Sequence, residues 1–408
     1  MFPEPQTPAA YFATAPRGIE SVTARELTRL GATEVRTVIG GVNFFAPKKL
    51  LYRACLELRT AHRILFPLRE FSAQNPEMLY SQSRRVKWES LLNPEKTFAV
   101  YATLERGRTA PPTGRRGKPG TPPHVAAKQQ NGITHTQYAA LKVKDAIVDR
   151  LRQEQGARPN VDTQNPDFRL HAHFAAGRCT LSLDASGGSL HERGYRLETT
   201  EAPLRETLAA SILELLGWDG ATPLYDPLCG SGTLVIEAAM RARNIPPGLL
   251  RPQFGLHRWP DFDQSLWDEV VQEARSRILP KSPVGLFGSD SDPKAIAAAQ
   301  ANAARAGVTE DIQWFIRGAE QAIVPRDLPG QTGLLLSNPP YGARLGDEGD
   351  LKALYRTFSS VWPLRFPGWK LALLVGNLNL AREIELPAVV KIKLDNGPLE
   401  CRLLQFQL

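Results

Sequence analysis

The sequence predicts an α/β protein: a doubly wound, mostly parallel sheet ending in an antiparallel hairpin, preceded by an α+β region. Three patterns lead to this. From about residue 200, runs rich in Leu and Val alternate with helical stretches, as strands covered on both faces do. The chain closes on two strand patterns, residues 389–394 and 399–408, around Asn396-Gly397, a strong hairpin signal. Before residue 190, short strands and helices mix without that regularity.

Taken in order, residues 11–15 read as a short strand. Residues 19–30 place Ile19, Val22, Leu27 and Leu30 at helical spacing, with Gly31 where a C-terminal glycine belongs. Residues 35–39 and 42–45 flank Gly40-Gly41 as a hairpin, and 48–59 return to helical period. A first domain, 1–65, follows. In a second, 66–190, residues 98–104 form a strand. Residues 138–152 form an amphipathic helix, with Leu141, Ala146, Ile147, Val148 and Leu151 on its apolar stripe and Lys142, Lys144 and Arg150 on its polar side. Residues 170–174 and 179–184 pair around Ala176-Gly177-Arg178. The third domain, 191–408, opens with a helix at 204–216 closed by Gly217. Its strands are 224–226, 284–290, 312–316, 333–337 and 371–375.

Composition narrows the class of function. The 408 residues are 42% hydrophobic, with a mean hydropathy of -0.28, as in ordinary globular domains. No apolar run approaches the roughly 20 residues a membrane helix needs, and the N-terminus lacks the pattern of a secretory signal. Cys55, Cys179, Cys229 and Cys401 are scattered, with no zinc spacing, so no metal site and a reducing, cytoplasmic home are expected. The net charge of +8 suits a polyanionic partner. It is unevenly spread. No acid falls between Arg106 and Lys144, whereas Arg115, Arg116, Lys118, Lys128, Lys142 and Lys144 are basic. Within that stretch, residues 105–131 form a Gly/Pro/Arg-rich loop too poor in apolar groups to order itself. It reads either as an RNA-touching arm or as a solvated insertion.

Three motifs carry chemistry. The first, Asp226-Pro-Leu228-Cys-Gly230-Ser231-Gly232-Thr233, runs from a strand into a helix. Its glycines let backbone turn sharply against a ligand. It lacks the lysine of a phosphate loop and the third glycine of a dinucleotide fingerprint, so a ligand without pyrophosphate is favoured. The second, Gly288-Ser-Asp290-Ser291-Asp292-Pro293, puts Asp290 at a strand end, where a carboxylate can accept both hydroxyls of a ribose. Asp292 reads as a helix cap with Pro293 behind it.

The third motif is Ser337-Asn338-Pro339-Pro340-Tyr341-Gly342, after the fourth strand. An exocyclic amine on a base is a poor nucleophile, because its lone pair is delocalised into the ring. The Asn338 side-chain oxygen and the Pro339 carbonyl can accept both amine hydrogens and aim the nitrogen at a methyl donor. Pro339 and Pro340 stiffen those carbonyls, and Tyr341 can stack on the base.

These motifs, in this order, resemble the class I amino-group methyltransferases. With the stretches FATAPRGIESVTARELTRLGA, KVKDAIVDRLR and LSLDASGGSLHERGYRL, the chain resembles more narrowly the THUMP-domain RNA guanine-N2 methyltransferases of RlmL type, in their N-terminal half. The resemblance implies a ferredoxin-like domain, an RNA-gripping THUMP domain and a Rossmann-like catalytic domain. It implies S-adenosylmethionine as cofactor, lined by Asp226, Leu228, Gly230, Ser231, Gly232 and Thr233, with Asp290 and Ser291 at the ribose and Asn338 beside the methyl. His191, Arg193 and Arg196, between the THUMP and catalytic domains, either contact the RNA substrate or join domains. The expected partner is 23S rRNA; tRNA, or a non-catalytic assembly factor with a degenerate pocket, are the alternatives. One departure stands out. Ala319 occupies the place of a third-strand acid, and Glu320 is the nearest substitute.

Overall fold

The computed structural model describes residues 2–104, 133, 135–197, 204–325, 328, 330–340, 348–397 and 399–408. The chain forms two compact units. One comprises Met1–Pro3, Leu65–Gly188 and Gln253–Phe262; the other comprises Glu4–Ile64, Ser189–Pro252 and Asp263–Leu408.

The second unit opens with β1 (Ala9–Thr14), α1 (Glu20–Leu30), β2 (Thr33–Val38), β3 (Gly41–Ala46) and α2 (Lys48–Glu57). The three strands are antiparallel, with β3 between β2 and β1. Gly31 closes α1 at φ 98°, a conformation costly for a residue with a Cβ.

The first unit holds β4 (Arg63–Ser72), α3 (Pro76–Arg84), β5 (Thr97–Leu104), α4 (Thr136–Gln155), β6 (Asn160–Val161), β7 (Phe168–Ala175) and β8 (Arg178–Asp184). The strand order is β4-β8-β7-β5-β6. The turn from β7 to β8 uses Ala176 and Gly177, both at positive φ, as tight two-residue hairpins demand. On α4 the buried stripe is Ala139, Val143, Ala146, Ile147 and Leu151. Leu141 is a correction to the expected stripe: two residues from Val143 is about 200° around a helix, and Leu141 is 53% exposed. The basic loop 105–131, with Arg115, Arg116, Lys118 and Lys128, lies outside the described residues.

The rest of the second unit runs α5 (Glu206–Leu215), β9 (Leu224–Asp226), α6 (Thr233–Ala242), α7 (Gln264–Ser276), β10 (Leu286–Asp290), α8 (Pro293–Ala306), β11 (Ile312–Ile316), β12 (Leu334–Ser337), α9 (Glu348–Ser360), α10 (Trp362–Arg365), β13 (Lys370–Val375), α11 (Leu378–Ala381), β14 (Val390–Asn396) and β15 (Leu399–Gln407). Its sheet has the order β11-β10-β9-β12-β13-β15-β14. The first five strands are parallel and the closing hairpin is antiparallel. Alternate residues feed opposite cores. Leu224, Leu286, Leu334 and Leu336 face one, with Leu234 and Ile296. Tyr225, Phe287 and Leu335 face the other, with Trp362 and Trp369. Burial on both faces explains why these strands read as unbroken apolar runs.

Gly288 shows how tightly one face is filled. A Cβ there would sit 2.4 Å from the Trp314 ring. Gly288→Ala should therefore cost about 1–3 kcal/mol through overpacking. Urea denaturation measures it; an unchanged midpoint would show that the indole can shift freely.

Candidate functional site

Register brings the motifs to one edge. Tyr225 of β9 lies opposite Phe287 of β10 and Leu335 of β12, so all three strands end at one level. The chain passes from β9 to β10 on one side and reaches β12 on the other. That reversal opens a crevice at the carboxyl ends of β9 and β12, where doubly wound sheets bind ligands.

The glycine loop is built from left-handed backbone, with Gly230 at φ 51° and Gly232 at φ 83°. A Cβ on Gly232 would meet the Trp314 ring at 2.9 Å and Ala299 at 3.0 Å. The loop is tied from beneath. Cys229 N donates to Ser289 O at 2.9 Å, and the buried Asn302 amide donates to Ser231 O at 3.1 Å. Tyr225 shares a hydroxyl hydrogen bond with Ser289 at 2.9 Å. Leu228 and Gly230 are half-buried, while Ser231, Gly232 and Thr233 are buried.

Asp226 is engaged by the chain itself. Its Oδ1 accepts from Leu228 N at 3.1 Å and from the Ser337 hydroxyl, and the residue is 1% exposed. Burial pushes its pKa up to about 7, and the charge of Asp290 adds to this. The carboxylate expected to line the cofactor is thus also a strut between the first and third motifs.

Asp290 is half-buried. One oxygen accepts from Gly230 N and the other from Asp292 N, each at 3.0 Å, and both retain lone pairs for further donors. Ser291 is exposed beside it. Asp292 caps α8 through Lys294 N at 2.8 Å, with Pro293 in the first turn, as the sequence predicts. Arg317 N donates to Asp290 O at 2.9 Å, drawing the segment after β11 to this corner. There Glu320 is exposed, and its carboxylate folds over Gly318, where a Cβ would be 2.4 Å from either oxygen. Ala319 is buried, its carbonyl accepting from the Trp362 indole at 2.9 Å.

After β12, the Asn338 Oδ1 is buried and accepts no hydrogen bond among the described residues. Pro339 is buried, and the Pro340 carbonyl accepts from Tyr355 of α9 at 3.3 Å. Tyr341 lies outside the described residues. The loop, the strand-end acid and the Asn-Pro-Pro run therefore share one rim, linked through Gly230–Asp290 and Leu228–Asp226–Ser337. No His/Cys/Asp/Glu cluster among the described residues could hold a metal. A cavity of about 220 Å³, lined by Trp218, Asp219, Leu334, Lys370 and Gln405, opens at the other end of the sheet, away from these motifs.

Of the expected RNA contacts, Arg193 is corrected. It is 1% exposed, donates to Arg59 O at 2.6 Å and Leu190 O at 2.7 Å, and pairs with Glu237 at 3.5 Å. A guanidinium so enclosed joins elements and cannot reach a phosphate. Arg196 is occupied by Glu206 at 3.1 Å and Leu204 O at 2.5 Å. On α4, Lys142 lies over the Tyr138 ring at 5.6 Å and Lys144 pairs with Asp145 at 2.8 Å. Sequence reasoning missed Ser337, Asn302 and Tyr355. Ser337 stood in the third motif without a role, and Asn302 was signalled as the one amide on the buried stripe of an alanine-rich helix.

Comparison with known proteins adds to this geometry. Residues 193–405 match the RMKL-like methyltransferase domain, residues 10–65 the RlmL ferredoxin-like domain and residues 73–184 the THUMP domain. The ribosomal RNA large subunit methyltransferase K/L of Syntrophotalea carbinolica is 42% identical over 98% of this chain and 54% of its own length. The chain thus spans about half of that relative. Slr0064 of Synechocystis sp., a provisionally named RNA methyltransferase, is 38% identical over 98% of this chain and 97% of its own. The crystal structure of SMU.472 complexed with SAH (S-adenosylhomocysteine) superimposes with a TM-score of 0.81 at 28% identity, covering 98% of both chains.

The buried strut has a pH signature. With its pKa raised from 3.8 to about 7, folded Asp226 keeps a proton that the unfolded chain has released between those values. Stability at this group therefore falls as pH rises through that window. Asp226→Asn keeps an oxygen for Leu228 and Ser337 and removes the titration. Relative to the parent, the variant should gain stability from pH 5 to pH 8 in urea denaturation; a constant difference would show that Asp226 does not titrate there.

Proposed function

The chain belongs to the RMKL-like methyltransferase family, with an RlmL-type ferredoxin-like domain, a THUMP domain and a class I domain that uses S-adenosylmethionine, and from that premise we propose that it methylates the exocyclic N2 of a guanosine in structured RNA, 23S rRNA above all. In this reading residues 66–190 grip RNA, residues 191–408 carry the reaction, and the enzyme works in the cytoplasm. No helix among the described residues is long and apolar enough to cross a membrane.

One observation carries the reading: the buried Asn338 Oδ1 that accepts nothing from the described residues. Leaving such an acceptor unpaired costs about 1–3 kcal/mol, and an incoming amine N–H removes that cost. With the Pro339 carbonyl it takes both amine hydrogens and fixes the nitrogen's direction. Pro340, held through its carbonyl by Tyr355, keeps the segment stiff, and Tyr341 offers a stacking face.

The cofactor fits the opposite wall. Positive-φ glycines bring bare backbone to its surface, Asp290 has lone pairs left for ribose hydroxyls, and Ser291 and Glu320 stand open beside it. When bound, it supplies an electrophilic methyl group. The chain's own residues orient the amine, and the amine nitrogen loses one proton to solvent as it gains the methyl. The gain is one of positioning and electrostatics.

Two variants separate the walls. Asp290→Ala should weaken S-adenosylhomocysteine binding about 10- to 100-fold, the worth of one or two hydrogen bonds to a charged group, in calorimetry. Asn338→Ala should cut turnover about 100-fold or more while cofactor and RNA affinities stay within a few-fold. Retained turnover would refute the clamp, and no cofactor binding by the folded parent would favour an assembly factor. Nucleoside mass spectrometry on rRNA and tRNA from a deletion strain identifies the base and decides between the RNAs.

A further inference from the structure

A run of buried aromatic rings lies behind the methyl-transfer rim and is bonded to it at both ends. Tyr355, Phe358 and Trp362 follow at spacings of three and four residues, so they share one face of a helical path. The path passes from α9 into α10 without losing its backbone bonding. Val361 N donates to Thr357 O at 3.0 Å, and Phe366 N to Trp362 O at 2.8 Å. The Tyr355 and Phe358 ring centroids are 5.2 Å apart, and Phe358 stacks on Trp362 at 4.5 Å. All three side chains are buried. In an interior packed at crystal density, one such ring cannot move without its neighbours.

At one end the Tyr355 hydroxyl donates to Pro340 O at 3.3 Å. The Pro339 carbonyl, the second acceptor of the proposed clamp, precedes it by one residue. The Pro340 ring locks φ, so only ψ of Pro340 stays soft between the two carbonyls. A hold on Pro340 O is therefore a hold on the direction of Pro339 O. At the other end the Trp362 indole donates to Ala319 O at 2.9 Å, and Arg365 donates to Ala322 O at 3.3 Å. Those carbonyls belong to the turn after β11, which Arg317 N ties to Asp290 O at 2.9 Å. The rings thus bridge the two walls of the crevice from behind.

We infer that Tyr355 is a positioning residue for methyl transfer, and that the aromatic run carrying it sets the distance between the amine clamp and the cofactor wall. The inference rests on the clamp reading above. Tyr355 touches neither amine nor cofactor; it acts through Pro340 on Pro339. Its ring is already fixed by Phe358 and Trp362, so the aim is set before the base arrives. A clamp that is slightly misdirected still accepts both amine hydrogens. The nitrogen then points off the line of the donor methyl, and rate is lost while affinity is kept.

Full-chain variants are assayed with labelled S-adenosylmethionine on total RNA from a deletion strain, which holds both candidate RNAs. Calorimetry with S-adenosylhomocysteine reports cofactor affinity, and urea denaturation reports the fold of each variant. Tyr355→Phe keeps the ring and removes the hydroxyl. It should lower kcat about 10-fold, with KM for RNA and cofactor affinity within about two-fold of the parent. Trp362→Phe, which frees the other anchor, should lower kcat by a similar factor. Added to Asn338→Ala, Tyr355→Phe should cost less than about two-fold more, because the amine's aim is already lost. A full additive loss there would mark a merely structural role and overturn the inference. So would parental kcat in either single variant, or a loss of cofactor affinity in Tyr355→Phe. Retained turnover in Asn338→Ala alone, or a parent that methylates none of this RNA, would instead refute the reading on which the inference rests.

Discussion

The catalytic half depends on one buried hydrogen bond, from the Ser337 hydroxyl to Asp226. It crosses the point where the sheet reverses direction. On one side stands the loop that Asp226 also holds through Leu228, and on the other the run that begins at Asn338. Two parallel strands can be brought level by backbone pairing alone, but their exits diverge. A carboxylate shared between the exits fixes the separation of the two loops. The low dielectric around it strengthens both hydrogen bonds and raises the cost of the charge, which is why its pKa climbs.

A second constraint lies behind the glycine loop. Glu237 on α6, the helix that the loop opens, pairs with Arg193 and accepts from the Tyr195 hydroxyl at 3.1 Å. Arg193 donates in turn to Arg59 O, and Arg59 donates to Ile245 O at 2.7 Å. Glu26 receives Thr60 N at 3.0 Å. This buried network runs from the ferredoxin-like segment to the catalytic helix. Burying ions seldom adds net stability, but removing one partner is costly because the other is left uncompensated. Its consequence is geometric, since the helix behind the loop is registered against the first sixty residues. Arg193 therefore belongs to the framework.

The features legible in the sequence were those set by neighbours along the chain. Glycines after a strand, an acid at a strand end with an Asp-Pro cap behind it, and Asn-Pro-Pro at a strand exit each need only local context. The parallel sheet and its closing hairpin followed from apolar runs and the Asn-Gly turn. What the sequence concealed depends on residues far apart. Ser337 and Asp226 are 111 positions apart, so neither announces the other. The burial of Arg193 depends on acceptors from two distant segments. Strand β4 was masked by Pro67 and a register shift beside it, which break the alternation a strand normally shows. Leu141 misled because a single leucine near a stripe was counted as part of it.

In the proposed clamp, the Asn338 oxygen, which accepts no hydrogen bond among the described residues, also bears on selectivity. Two acceptors side by side reward a group that brings two N–H bonds and penalise one that brings lone pairs, because facing acceptors repel and stay desolvated. A base edge presenting a carbonyl would thereby be rejected by the proposed clamp without steric exclusion. The same arithmetic applies to the product. An amine that has gained one methyl retains a single N–H, so one acceptor loses its donor again while still buried. The proposed clamp would thus hold the unmodified amine better than the methylated one, favouring release after one transfer. A neutral carboxamide achieves this where a carboxylate would not, since a charge at Asn338 would draw water or a cation into the gap that the amine must fill.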